Sequence, residues 1–380
     1  VPADLLLVQP TTFCNIDCSY CYLAHRSDKK RMSASTLQAL AAFVAGVPAH
    51  RPPLALVWHA GEPLAVPVTF YEAAFERLAP YPLRQHIQTN AVLINDAWCA
   101  LFKQWDVRVG VSIDGPKRIH DAHRVDRAGR GTFDRVMAGI AKLREHEIPF
   151  SMLSVLTADT MAAADEMWDF IVSLDPARGV GFLVEEQEGI HDHSSMIGGG
   201  KKAAFRRFMT RLAELRARDR STMRIRELDK MRDHLAAPLG ADVAKADNRP
   251  GAIINIDVDG NVATFSPELM STTHPRYGTF SWGNVHTHGW ADIAKDPQFQ
   301  RVYADIAKGI DLCRRSCAYF SVCGGGCPSN KLAEFGTFVA SETQHCRFYV
   351  KVVADVVIER LEREMGLGAK FRTAVNGATQ

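Results

Sequence analysis

Cys14, Cys18 and Cys21, in the run Cys14-Asn15-Ile16-Asp17-Cys18-Ser19-Tyr20-Cys21, are spaced C-x3-C-x2-C. Three thiolates can bind three irons of a four-iron cubane and leave the fourth iron without a protein ligand, open to chelate a substrate. The same spacing suits a structural tetrahedral zinc, for which His25 is the obvious fourth ligand. Farther along, Cys313, Cys317, Cys323 and Cys327, followed by Cys346, make a second thiolate array, and a zinc ribbon would accept that spacing too. Eight of nine cysteines fall into these two groups, which favours metal ligation over a disulfide scaffold in a chain of 380 residues. The ninth, Cys99, lies in a helical stretch and reads as a buried core thiol.

The elements that must position the first group follow a βαβ rhythm up to about Ala217. Leu5–Val8, Leu54–Trp58, His86–Gln88, Val107–Ile113, Phe150–Leu156 and Val180–Val184 read as strands. Thr36–Val47, Thr69–Leu78, Asp96–Trp105, Phe133–His146 and Met161–Leu174 read as helices by apolar spacing. About six units result, fewer than a closed eight-unit barrel, so the fold class is α/β with a partial (β/α)6 TIM-like barrel. Polar segments follow the strands: the cysteine loop, His59-Ala60-Gly61-Glu62-Pro63, Thr89-Asn90 and Asp114-Gly115. In barrel-type folds the carboxyl ends of the strands share one rim, so these segments should converge on one site.

Glu185–Gly200, acidic and then rich in His and Gly, reads as a connection or lid before the basic helix Lys201–Arg218, with Gly198-Gly199-Gly200 a plain loop. Ala252–Phe265 carries the hairpin signal Asp259-Gly260-Asn261. Regular βαβ order is lost beyond it. We therefore divide the chain into residues 1–250, the barrel with a connecting helix, and 251–380, an α+β region holding the second cysteine array; the tail beyond Ala369 reads as disordered.

The balance of 45 basic and 43 acidic residues gives no electrostatic reason to expect nucleic acid or an anionic membrane as partner. Apolar runs are far shorter than the roughly 18 residues a membrane span needs, and no signal-like sequence opens the chain. The expectation is a soluble, cytoplasmic protein.

With Tyr20 before the last cysteine and Gly61-Glu62-Pro63 after the second strand, the first triplet closely resembles the radical S-adenosylmethionine (SAM) enzymes. The resemblance implies that SAM binds the open iron through its amino and carboxylate groups and is cleaved reductively to a 5′-deoxyadenosyl radical. Gly61-Glu62-Pro63 matches the end of the family's Gly-Gly-Glu-Pro motif, with Ala60 in place of the first glycine. Tyr20, Gly61, Glu62, Ser112, Asp114 and Arg124 are the implied cofactor-binding residues, and no catalytic residue is assigned beyond the cluster ligands. Arg124 is chemically apt, because a guanidinium pairs bidentately with a carboxylate.

The second array resembles the SPASM extension of peptide-modifying radical SAM enzymes, with one extra residue in its first spacing. Three upstream cysteines of that extension are missing: Phe265 stands where the first would be, and Gly283 leads to His288 in place of another. The resemblance thus implies one auxiliary 4Fe-4S cluster on Cys313, Cys317, Cys323 and Cys346, with Cys327 left over.

Val8-Gln9-Pro10-Thr11-Thr12, Glu185-Glu186-Gln187-Glu188-Gly189 and the stretch Cys323–Lys331 look like the Grr-type maturases that form cyclophanes in ribosomal peptides. What this implies is a carbon–carbon link between an aromatic ring and a β-carbon of a precursor peptide, with an electron donor such as flavodoxin or ferredoxin as second partner. Glu185, Glu186 and Glu188 are the candidates for binding a basic peptide. The enzymatic alternatives are an anaerobic sulfatase-maturase type, whose catalytic Asp is Gly289 here, and a thioether-forming maturase. A zinc-stabilised binding module or a simple electron carrier would use the same cysteines.

Overall fold

Six strands lie parallel in one sheet in the order β1, β3, β4, β5, β7, β8: Leu5–Val8, Leu54–Trp58, Leu83–Thr89, Arg108–Ser112, Phe150–Leu156 and Val180–Val184. The computed structural model describes residues 2–49, 53–219, 222–237, 246–270 and 272–366; the tail beyond Ala369 lies outside the described residues. Between the strands run α1 (Ala34–Ala45), α2 (Val68–Leu78), α3 (Asp96–Gln104), α4 (Lys117–His123), α5 (Phe133–Glu145) and α6 (Ala164–Leu174). The sheet is open, with β8 at one edge. It is the partial α/β barrel that the sequence implies.

The strands alternate between a face packed under the helices and a face turned inward, most fully in β7. In β7, Phe150, Met152, Ser154 and Leu156 are buried, while Leu153 and Val155 line the barrel interior. Trp58 at the end of β3 meets Tyr71 of α2 edge to face, with centroids 5.3 Å apart, in a geometry that aromatic quadrupoles favour. Cys99 is fully buried in α3. Two elements start three residues away from the sequence reading, the other bounds agreeing to within two residues. Strand β4 starts three residues earlier, at Leu83, and the stretch from Met161 divides into a 3-10 turn, Ala158–Ala162, before α6.

The hairpin β9 (Ile253–Ile256) and β10 (Asn261–Thr264) forms where the Asp-Gly turn predicts it. It stands in an unforeseen place. Strand β9 pairs in parallel with β1, Leu5 opposite Ile253 through Val8 opposite Ile256, so the sheet crosses the boundary drawn at residue 250. The C-terminal part continues through the helix Pro297–Ser316, the short helices Phe320–Cys323 and Pro328–Phe335, and a π-helical stretch Cys346–Val352 that leads into Val353–Glu364. Among the described residues no helix is long and apolar enough to cross a membrane.

Candidate active site

The cysteine loop leaves β1 and forms β2 (Ile16–Cys18), which pairs antiparallel with β6 (Arg124–Asp126), Cys18 opposite Arg124. This small sheet, which sequence periodicity does not show, sets Arg124 against the cysteines. Its guanidinium stands 4.0 Å from Cys18 Sγ and 5.6 Å from the centre of the Tyr20 ring. It is 3.0 Å from Asp114 Oδ1 through Nε, an ion pair close in distance though off the N–H axis. Asp114 also accepts from Tyr20 Oη and from Val155 N. Asp114 is fully buried and is not part of the cavity wall, so the structure puts it behind Tyr20 and Arg124 rather than at the surface a cofactor would touch.

Gly61 reaches the cysteine loop closely: a Cβ there would stand 2.6 Å from Thr11 O and 2.7 Å from Phe13 O. Glu62 N donates to Phe13 O. The Glu62 carboxylate accepts from Thr89 Oγ1 (2.6 Å), Leu64 N (3.0 Å) and Asn90 N (2.8 Å), and burial still pushes its pKa up to about 6. Asn90 then extends Nδ2 to Asn15 Oδ1 at 2.7 Å and to Cys14 Sγ at 3.8 Å. Ser112 accepts from Gln88 Nε2, which crosses the inner face over Gly110, where a Cβ would lie 2.2 Å from Gln88 Oε1.

All of this opens into one cavity of about 450 Å³. Cys14, Cys18, Cys21, Tyr20, Gly61, Glu62, Ser112 and Arg124 are among its lining residues. Residues of the β8 end and the C-terminal region line it as well. There Asn330 Nδ2 donates to Glu186 Oε2 at 2.7 Å and Glu188 Oε1 at 3.1 Å, and His345 Nδ1 lies 2.9 Å from Glu186 Oε1. Two motifs more than 130 residues apart in sequence thus meet in its lining. Glu185 also lines the cavity, but its carboxylate is taken up by Ser195 N, Ser195 Oγ and His191 Nε2. That anchors the stretch 185–200 rather than leaving it a loose lid.

Sequence reasoning missed Gln88, Glu268 and Asp247 in the cavity lining, since none belongs to a spaced motif. Burial first, then the charges of Glu268 and Glu186, push the Glu188 carboxyl well above its usual range; burial likewise raises Glu268. Burial drives the His59 imidazole down to about 4, so it is neutral at pH 7.

None of the nine cysteines is in a disulfide. Burial raises the Cys18 and Cys346 thiols to about 12, so thiolates form there only with a metal's charge. No three cysteine sulfurs lie within 4.8 Å of one another among the described residues. A tetrahedral zinc, with bonds of about 2.3 Å, would need four sulfurs on edges of about 3.8 Å. Cys317 and Cys323 act electrostatically on both Cys313 and Cys346. Cys327 instead faces the cavity, where after burial the charges of Asp247 and Glu268 act on it most, with Sγ 3.1 Å from Ser329 Oγ.

Residues 8–171 match the family model of the radical SAM superfamily. An uncharacterised protein of Synechocystis is 40% identical over 375 residues, covering 96% of this chain and 94% of its own. The chain belongs to the radical SAM superfamily. Like the family, this enzyme uses a 4Fe-4S cluster and SAM. A serine-type anaerobic sulfatase-maturating enzyme of Klebsiella aerogenes is 28% identical over 94% of this chain and 86% of its own. In fold, this radical SAM enzyme is similar to anSMEcpe with bound AdoMet, at a TM-score of 0.78 and 19% identity over 95% of this chain and 99% of that one. It is also similar to SuiB of Streptococcus suis bound to its precursor peptide SuiA, at 0.69 and 16% over 91% and 76%.

Proposed function

We propose that this enzyme modifies a ribosomally made precursor peptide by joining an aromatic ring carbon to a neighbouring β-carbon, as the resemblance to Grr-type maturases implies. The observation that carries the reading is the joining of Glu186 and Glu188 to Asn330, from two of the motifs of that resemblance, in the lining of the same cavity as the SAM-side residues. When bound, the Cys14, Cys18 and Cys21 cluster and SAM supply a hydrogen-abstracting radical. Cys313, Cys317, Cys323 and Cys346 would hold an auxiliary cluster with one-electron capacity. A flavodoxin or ferredoxin is the electron donor in this reading.

This chain's own groups bind and orient. Tyr20, Gly61, Glu62, Ser112 and Arg124 take SAM, with Asp114 positioning Tyr20 and Arg124 from behind. Glu186, Glu188 and Glu268 offer charge-assisted hydrogen bonds to a basic peptide side chain; Glu185 positions the loop that carries two of them. Phe265 supports a single auxiliary cluster: it is fully buried and stacks on Phe299 at 6.1 Å, where the extended family has a cysteine.

The 28% identity to a sulfatase-maturating enzyme favours formylglycine formation as a second reading. Against it, Gly289 occupies the position of that family's catalytic Asp and lies exposed, outside the cavity wall. Mass spectrometry of a coexpressed precursor peptide decides between them. Loss of two hydrogens per site, with fragmentation blocked across the linked residues, is the expected product; an aldehyde at a Ser or Cys overturns the cyclophane reading. Replacing Glu186, Glu188 and Glu268 with Gln should weaken binding of a basic precursor at least ten-fold, and unchanged binding removes them from recognition.

A further inference from the structure

Lys331 is 3% exposed, on the helix Pro328–Phe335, and its Nζ stands 3.7 Å from Cys313 Sγ. Among the described residues no carboxylate pairs with it within 4.0 Å; burial holds the Lys331 ammonium below its ordinary pKa, and Cys313, Cys323 and Cys327 are the groups that act against that shift. A buried ammonium with no counter-ion is strongly disfavoured, and a neutral thiol does not supply one. The fold nonetheless makes room for it. Gly309, one turn before Cys313 in the helix Pro297–Ser316, has no side chain, and a Cβ there would lie 3.1 Å from Lys331 Nζ and 2.1 Å from Phe338 O. The turn Gly324-Gly325-Gly326, all three at positive φ, brings Cys323 and the start of the lysine's helix to the same place.

We infer that Lys331 is a positioning residue for the auxiliary cluster: its buried ammonium is the counter-charge of the Cys313 thiolate and raises the reduction potential of the cluster those cysteines hold. The inference rests on the assignment of that cluster to Cys313, Cys317, Cys323 and Cys346. The physics is a sign argument. Reduction adds one negative charge to the cluster, and a fixed cation at a ligand sulfur in a dry site stabilises the more negative state. Hydrogen bonding to sulfur acts in the same direction, so charge and donor are separable by substitution.

The test uses the full chain with Cys14, Cys18 and Cys21 replaced by Ala, reconstituted anaerobically, so that one cluster is read alone. Iron content and an EPR-monitored redox titration are compared for this parent, Lys331→Met, Lys331→Gln and Lys331→Arg. The expected result is about four irons in the parent, a midpoint shifted to lower potential in Lys331→Met and Lys331→Gln, and a return towards the parent value in Lys331→Arg. Lys331→Gln keeps a donor without the charge and serves where Lys331→Met does not hold iron. Parental midpoints in the uncharged variants, with iron retained, overturn the role of Lys331. A parent without iron overturns the auxiliary cluster itself, and the inference falls with it.

Discussion

At the scale of residues, the site depends on a chain of buried polar contacts behind the cavity rather than on the lining alone. Thr132 Oγ1 donates to Arg124 O, so it accepts from His120 Nε2, which fixes the proton on that nitrogen. His120 Nδ1 then faces Asp114 N, and Asp114 holds Tyr20 and Arg124. Arg124→Lys keeps the charge but loses the fork. Hydrogen bonds to charged groups are worth about 1.5–3 kcal/mol, so SAM affinity should fall about ten-fold or more with iron content unchanged. Equilibrium binding of SAM to the iron-loaded variant checks this, and wild-type affinity removes Arg124 from the SAM site. Cysteine spacing and short motifs made Cys14, Cys18, Cys21, Glu62 and Arg124 visible in the sequence. Gln88 and Glu268 were not visible, because a lone polar residue at a strand end or in a 3-10 turn carries no periodic signal.

Among the elements, the turn after β3 is tightly constrained. Ala60 and Gly61 both have positive φ, 68° and 65°, and only the second is a glycine. A left-handed L-residue costs roughly 1–2 kcal/mol, partly offset by the smaller unfolded-state entropy of alanine. Ala60→Gly should therefore stabilise the protein by about 0.5–1 kcal/mol, read as a shift in the denaturant midpoint. Gly61→Ala should destabilise it and disturb the cysteine loop, since its Cβ meets Thr11 O and Phe13 O. A neutral Gly61→Ala would contradict the close approach. The sequence located this turn through Gly-Glu-Pro, but the β2–β6 pairing joins residues over a hundred positions apart and leaves no local trace.

At the scale of the whole molecule, three histidines, His59, His86 and His120, have pKa values that burial lowers to about 4 from an ordinary 6.5. The unfolded chain binds those protons first, so the stability these groups contribute is present above pH 6.5 and is lost as pH falls through 4. The raised carboxyls of Glu62, Glu188 and Glu268 act in the opposite sense as pH falls. The histidine share is therefore read as the difference in urea midpoint between wild type and His59→Gln, His86→Gln and His120→Gln across that window. A difference that does not change with pH would contradict their neutral burial. Long-range pairing is also where the sequence was least informative. β1, β3, β7 and β8 have the bounds read from apolar runs, yet nothing in Ile253–Ile256 says that its neighbour is Leu5–Val8. That neighbour makes the cysteine-rich half inseparable from the first strand. A fragment ending near residue 250 would bare the hydrogen-bonding edge of β1, an open template for strand addition, and should aggregate instead of yielding a working half-enzyme.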